Sequence, residues 1–176
     1  DALQSQINPH FLYNTLDTIV WLIEGGMTDD AVEMISSLSI FFRTSLSKGN
    51  DIIPLSEEKR HTLSYLEIQQ FRYRDILEFE LSIPKELDGI QVPKLSIQPL
   101  AENAILHGLS GVQDGRLTVT AREEGGVLEI CVLDNRAFRR GIGKGDSQFD
   151  EIGTVFFSGA DGCGGSFKIG ISAGDK

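Results

Sequence analysis

The hydrophobic period of this chain changes once, after Arg74, and that switch limits the possible folds more than any other feature. Before it, apolar residues recur at helical steps: Leu3, Ile7, Leu12, Leu16, Ile19 and Ile23, then Val32, Ile35, Leu38, Phe42 and Leu46. Gly25-Gly26 stops the first segment, Asp29 or Asp30 can cap the second, and Gly49 ends it. Two helices joined by so short a loop form an antiparallel hairpin. Ser56 reads as the cap of a third helix that runs through "HTLSYLEIQQFRYR", with Glu57 and Glu58 favourable to the dipole in its first turn. After Arg74, "ILEFELSIP" alternates as a strand does, and Pro84 ends it. "VPKLSIQPLAENAILHGL" turns helical in its second half and closes on Gly108. "RLTVTAREEGGVLEICVLDN" is a β-hairpin, two alternating strands around Glu124-Gly125-Gly126. Beyond Asn135 glycine dominates, and only "SFKIGIS" reads as strand. The order predicts an α+β fold in two units, helices over residues 1–55 and a mixed strand–helix–hairpin unit over 56–176.

Composition narrows the partners. Apolar residues make up 40% of the 176, enough for a real core, while 16 basic against 26 acidic residues leave a net charge of −10. That balance argues against a nucleic-acid surface, which needs clustered Lys and Arg. It also repels anionic membranes, so membrane attachment would come only through segments outside this chain. No run of about 18 apolar residues exists to span a bilayer. Cys131 and Cys163 fit no metal spacing and read as reduced, intracellular, small apolar fillers. The chain lacks an initiator Met and opens in mid-pattern with "DALQSQI", as a piece cut from a longer protein would.

Three short stretches carry chemistry. In "QINPHFLYNTLD", residues 6 to 17, Gln6, His10, Asn14 and Asp17 form one polar stripe at helical spacing. A solvated histidine is mostly neutral at pH 7, and a neutral imidazole is a competent nucleophile. Pro9 inside a helix would leave the Ser5 carbonyl unpaired and bend the backbone beside that nucleophile. The alternative is that Asn8 is an N-cap, Pro9 the first helical residue, and the helix starts here. In "QPLAENAILHG", Glu102, Asn103 and His107 gather a carboxylate, an amide and an imidazole, a set that suits Mg²⁺ and its phosphates. A capped helix with a polar face has the same composition. In "VLDN", Asp134 and Asn135 end a strand, where ligand sites often lie and where ordinary turns also fall. The run "GIGKG" is no P-loop, since Lys144 precedes Gly145 and Phe138 occupies the earlier glycine position. His61, beside Arg60 in the third helix, reads as a surface residue.

Taken in order, "LQSQINPHFLYNTLD", "QQFRYRD", "LSIQPLAENAILHGL" and "VLDN" resemble the LytS/YesM-type sensor histidine kinases over residues 1 to about 135. The resemblance implies a dimerising helical segment followed by a GHKL-type ATP-binding sandwich, the cytoplasmic portion of a membrane sensor. It implies His10 as phospho-acceptor, with Asn14 and Glu102 assisting the chemistry. Asn103 would hold Mg²⁺, and His107, Asp134, Asn135, Gly141 and Gly143 would contact ATP, with Asp134 accepting from the adenine amine. The partners implied are a second copy of the chain and a response regulator whose aspartate takes the phosphoryl group. The sequence departs from the family pattern at Leu106, where a lysine is usual. It departs again at Arg136, Ala137 and Phe138, where glycines follow the adenine-binding acid. Neither the second glycine box nor the lid helix is recognisable. Those departures keep a second expectation open: a kinase-like domain that binds no ATP and serves as a dimerisation and signalling scaffold.

Overall fold

The computed structural model describes residues 8–46, 51–74, 76–108, 114–134, 148–149, 154–157 and 165–170; of residues 107, 108 and everything from 148 onward it describes the backbone alone. The expected helical stretch from Leu3 to Ile7, Gly49, Asn135, Gly141, Gly143 and Cys163 lie outside the described residues.

Helix α1 spans Pro9–Glu24. Asn8 is extended (φ −65°, ψ 114°), and its side chain accepts from the His10 backbone N–H at 3.0 Å. Pro9 then takes the first helical position, where its missing donor would have had no partner anyway. Of the two readings of Asn8-Pro9, the helix start is the one observed. Gly26, at φ 75°, turns the chain out of the helix, and the Met27 N–H reaches back to the Leu22 carbonyl at 2.8 Å. Helix α2 spans Thr28–Ser45 with Met27 at the N-cap position. Asp29 and Asp30 therefore lie inside the first turn, where they favour the dipole without capping. The hairpin is antiparallel: Phe11 near the start of α1 meets Phe41 near the end of α2, ring centroids 5.1 Å apart.

The stripes read from sequence are not the buried ones. Helix α1 buries Phe11, Thr15, Ile19 and Leu22, whereas Leu16 and Ile23 are exposed. Helix α2 buries Ala31, Met34, Ser37, Leu38, Phe41 and Ser45, whereas Val32, Ile35 and Leu46 are exposed. Each helix carries two apolar faces, and the simple periodicity ran them together. On α1 the second face is Tyr13, Leu16, Val20 and Ile23, at steps of three and four. At about 3.6 residues per turn, it lies roughly 120° round the axis from the core stripe.

Strand β1 (Ile52–Pro54) leads directly into helix α3 (Leu55–Arg72). Pro54 is the N-cap, and the helix opens without a side-chain cap. The expected Ser56 cap is replaced by backbone: Leu55 N–H donates to the Ile90 carbonyl at 2.7 Å and Ser56 N–H to the Asp88 carbonyl at 3.1 Å. Strand β2 (Leu77–Ser82) follows, then a single turn at Lys85–Leu87, then β3 (Gln91–Pro93), which pairs antiparallel with β1. Helix α4 spans Gln98–Gly108.

The main sheet has the order β2-β4-β5-β8-β7-β6, with β4 at Gly115–Glu124, β5 at Val127–Asp134, β6 at Gln148–Phe149, β7 at Thr154–Phe157 and β8 at Gly165–Gly170. Strands β2 and β4 run parallel and every other pair antiparallel, so the sheet is mixed. The expected hairpin is β4–β5, with Glu124 opposite Val127 and the turn made by Gly125 (φ 62°) and Gly126 (φ 78°). Two successive positive φ values match the twist of the strands they join. Strands β6 and β7 add to β8, the one strand read in the tail. Cys131 on β5 is disulfide-bonded, against the expectation of two free thiols; spacing along the chain carries no information on such pairing.

Leu117, Val119, Leu128, Ile130 and Val132 bury one face of β4–β5, on which α4 packs. The same hydrophobic cluster continues through Leu66, Ile68, Ile97 and Ala101 to Phe41, Leu22 and Phe11. Hairpin and sheet unit thus share one core. Ser37 Oγ donates to Glu67 Oε2 at 2.5 Å, and an Arg74–Asp30 ion pair adds a second polar tie between them.

Candidate functional site

His10 stands exposed in the first turn of α1. One turn on, Asn14 places its amide nitrogen 3.0 Å from His10 Nδ1 and 3.4 Å from Nε2. The polar stripe read from sequence is therefore a real pair. The next residue, Phe11, is buried and packs tilted against Tyr65 of α3, ring centroids 5.5 Å apart. Burial first, and then the charge of Glu102, push the Tyr65 hydroxyl well above the ordinary phenol range. Tyr65 thus borders both the turn that carries His10 and the helix that carries Glu102.

Helix α4 buries Ala101, Ala104 and Ile105 against the sheet. Glu102 is half-buried, and Asn103 is exposed on the side away from the core. His107 falls one turn beyond Asn103 on the same helix. Asp134 closes β5, opposite Leu117 of β4, half-buried, and α4 packs on β5. The structure thus brings Glu102, Asn103 and Asp134 to adjoining elements, and His10 to Asn14. Among the described residues no hydrogen bond joins His10 to Glu102 or Asn103. A cleft of about 430 Å³ opens on the His10 side of α1, lined by Asp17, Trp21, Arg72 and Tyr73 among others; none of the expected nucleotide residues lines it.

Two residues that the sequence reading did not single out as functional hold α4 in place. Glu58, read as a first-turn carboxylate favourable to the helix dipole, has no solvent exposure, and both its oxygens accept from backbone: Ile97 N–H at 2.8 Å and Leu95 N–H at 2.9 Å. Burial raises its carboxyl above the ordinary 4.5, against the pull of those N–H donors. His61, read as surface, is buried at 2% exposure. Its Nε2 lies 2.6 Å from Gln98 Oε1, its Nδ1 2.7 Å from Thr44 Oγ1, and its ring stacks on Phe41 at 4.9 Å. A carbonyl oxygen only accepts, so Nε2 carries the proton, and Nδ1 is left as an acceptor that shares the one Thr44 hydroxyl hydrogen with the Ile40 and Phe41 carbonyls, each 3.0 Å away. Burial, and secondarily the charge of Lys94, hold the ring below its ordinary 6.5, which keeps this neutral form. No periodic signal marked these residues, because α3 also buries Thr62, Ser64 and Gln69 and so has no clean apolar face.

Comparison with known proteins now identifies the class. Residues 1–77 match the histidine kinase family model, which ends just as β2 begins. The sensor histidine kinase YesM of Bacillus subtilis is 40% identical over 135 residues, 76% of this chain and 23% of that protein. The sensor histidine kinase BtsS of Escherichia coli is 39% identical over 134 residues, 76% of this chain and 24% of that protein. A solved histidine kinase domain, from the Erythrobacter litoralis EL346 blue-light activated kinase, is 16% identical, with a TM-score of 0.47 over 97% of this chain and 91% of that one. The chain belongs to the LytS/YesM-type sensor histidine kinases. It spans about a quarter of the length of the curated relatives it matches.

The buried imidazole gives a signed pH dependence. Its folded value lies below 6.5, so the unfolded chain takes up the proton first as pH falls. Its contribution to stability is complete above 6.5 and is lost as pH drops from there toward the folded value. Urea unfolding of the native chain should therefore lose up to about 1.4 kcal/mol per pH unit on acidification below pH 6.5 relative to His61→Gln. Glu58, raised, acts in the opposite sense from 4.5 upward, and the difference between the two proteins removes it. Parallel pH profiles for the two proteins would refute the buried neutral assignment.

Proposed function

We propose that this chain is the catalytic end of a two-component sensor: it transfers the γ-phosphoryl of Mg-ATP to His10 and then to an aspartate of a response regulator. Residues 1–55 serve as the dimerising, phospho-accepting segment and 56–176 as the nucleotide-binding unit. A membrane tether lies outside this chain; among the described residues no helix is long and apolar enough to cross a membrane. The observation that carries this reading is the exposed His10 with Asn14 on its ring, at the head of a family-matched helix.

The chemistry follows from the ring. For Nε2 to attack phosphorus it needs a free lone pair, so Nδ1 must hold the proton. A half-turn of the Asn14 amide presents Oδ1 in place of nitrogen, accepts from Nδ1–H and leaves Nε2 free. Nε2 then forms a P–N bond as the bond from phosphorus to the β-phosphate oxygen breaks, and ADP leaves. Asn103 suits Mg²⁺, because that ion takes hard oxygen donors and, with phosphates supplying most of them, needs only one or two from protein. Its amide is exposed and free to turn its oxygen outward. When bound, Mg²⁺ offsets negative charge on the β- and γ-phosphates. Glu102 contributes a fixed negative charge beside Tyr65, suited to steadying the cationic imidazole as transfer begins. Asp134, at the end of β5, offers a carboxylate to the adenine amine, with Asn135, Gly141, Gly143 and His107 completing the nucleotide site. Among the described residues no hydrogen bond joins His10 to Glu102 or Asn103, and the scheme has the nucleotide brought to His10 by a conformational change or by a second subunit.

The second apolar face of the hairpin fits that second subunit. Tyr13, Leu16, Val20 and Ile23 of α1 are 44–66% exposed, and Val32 and Ile35 of α2 about half exposed. A stripe at heptad-like steps on an otherwise charged chain is what a helix bundle buries. The rival reading, a scaffold that binds no ATP, draws on Arg136, Ala137 and Phe138 in place of the glycines that let a backbone approach nucleotide.

Three outcomes test the scheme. Incubation with radiolabelled Mg-ATP should give an acid-labile, base-stable label that His10→Gln abolishes without altering the folded spectrum; a label that survives would sink the assignment. Asn103→Asp places a second negative charge near the phosphates and should weaken Mg-ATP binding about tenfold or more, and unchanged affinity would count against this Mg²⁺ ligand. Leu16→Asp with Val20→Asp should convert a dimer to a monomer in sedimentation, and a dimer that persists would place the interface elsewhere.

A further inference from the structure

We propose that His61, together with Glu58, is a positioning residue that couples the last turn of the helical hairpin to the helix carrying Glu102 and Asn103. The coupling rests on geometry, and its consequence for nucleotide rests on the kinase reading above. The segment from Lys94 to Ile97 has no regular structure, yet it sets where α4 begins. Three ties hold it together with Gln98. Lys94 Nζ donates to the Ser45 carbonyl at 2.8 Å. Glu58 takes the Leu95 and Ile97 N–H groups on its two oxygens. Gln98, the first residue of α4, accepts from His61, whose other nitrogen is held by Thr44.

Thr44 and Ser45 are the last two residues of α2, so two of the three ties end on one turn of the hairpin. The link between them is stiff. An imidazole presents its two nitrogens at a fixed separation across a flat ring, and this ring is further pinned on Phe41. A shift of Thr44 is therefore passed to Gln98 instead of being absorbed by a flexible side chain. Gln98 shares one rigid helix with Glu102, one turn on, and with Asn103. Leu95 adds backbone strain at this point: its φ of 60° is left-handed, a region a leucine occupies at a cost of about 1–2 kcal/mol and holds only where its surroundings impose it. The Glu58 carboxylate imposes it through the Leu95 N–H. The transfer scheme above gives neither His61 nor Glu58 a contact with the reacting groups, and a leucine would fill the volume of His61 without a desolvation cost. What these polar groups provide, and an apolar core would not, is a fixed geometry between hairpin end and α4.

The test is amide hydrogen exchange on the full chain, comparing native protein with Thr44→Val, His61→Leu and His61→Gln. Thr44→Val alters a residue of α2 that is tied to α4 through the His61 ring. It should speed exchange in residues 94–101 by about two- to tenfold, the change expected when one hydrogen bond is lost, with the β4–β5 amides unchanged. His61→Leu should do the same or more, and His61→Gln, which keeps a donor and an acceptor, should restore part of the protection. Should His61→Leu fail to fold, Thr44→Val decides alone. Exchange in 94–101 that stays native in Thr44→Val, or that rises equally everywhere, overturns the proposal. Mg-ADP affinity measured on the same samples separates the two ideas. Local exchange coupling in a native chain that binds no Mg-ADP keeps the clamp and removes the kinase reading. Native binding with no coupling does the reverse.

Discussion

The placement of helix α4 depends on one carboxylate. Glu58 sits without solvent exposure, and taking an acid out of water into a protein interior is unfavourable by several kcal/mol unless hydrogen bonds replace the lost hydration. The replacements are main-chain N–H groups at 2.8 and 2.9 Å, both on the segment that opens α4. Each side depends on the other: without Glu58 two buried donors lack partners, and without the loop a buried charge does. Removing one partner alone is the costly change, which is why such a pair fixes geometry tightly even when its net contribution to stability is small. The start of α4 decides the positions of Glu102 and Asn103, so the candidate nucleotide site inherits its placement from this contact.

The hairpin solves a different problem with the same two helices. Its inner faces complete the core through Phe11, Leu22, Met34 and Phe41, while its outer faces leave Tyr13, Leu16, Val20 and Ile23 in solvent. His10, Asn14 and Asp17 occupy the third side of α1, between the two apolar faces. A helix with three distinct sides can pack on its own domain, meet a second copy and still present a nucleophile. That division of labour is a property of spacing: steps of three and four generate two stripes, and the residues between them stay polar.

Local signals in the sequence carried far, and long-range ones did not. The β4–β5 hairpin was legible because strict alternation and the Gly125-Gly126 turn sit within one short stretch. The His10–Asn14 pair was legible because residues four apart on a helix are neighbours by construction. The core stripe of α1 was misread, since Leu16 and Ile23 belong to its second apolar face. The burial of His61 was unreadable: its partner Gln98 is 37 residues away, and α3 buries Glu58, Thr62 and Gln69 alongside its leucines. The Ser56 cap failed for the same reason, its role taken by carbonyls of Asp88 and Ile90 that only the folded chain brings near. Roles for Asp134, Asn135, Gly141 and Gly143 came from family likeness, and only Asp134 among them falls within the described residues.

The central claim is that this chain binds Mg-ATP despite Arg136 and Phe138 where the family carries glycines. Isothermal titration of the chain with a non-hydrolysable ATP analogue, with and without Mg²⁺, tests it directly. The account predicts binding in the micromolar range, roughly −8 kcal/mol, that weakens sharply when Mg²⁺ is withheld. A folded sample that releases no heat with the analogue at any Mg²⁺ concentration would contradict it and leave a signalling scaffold in its place.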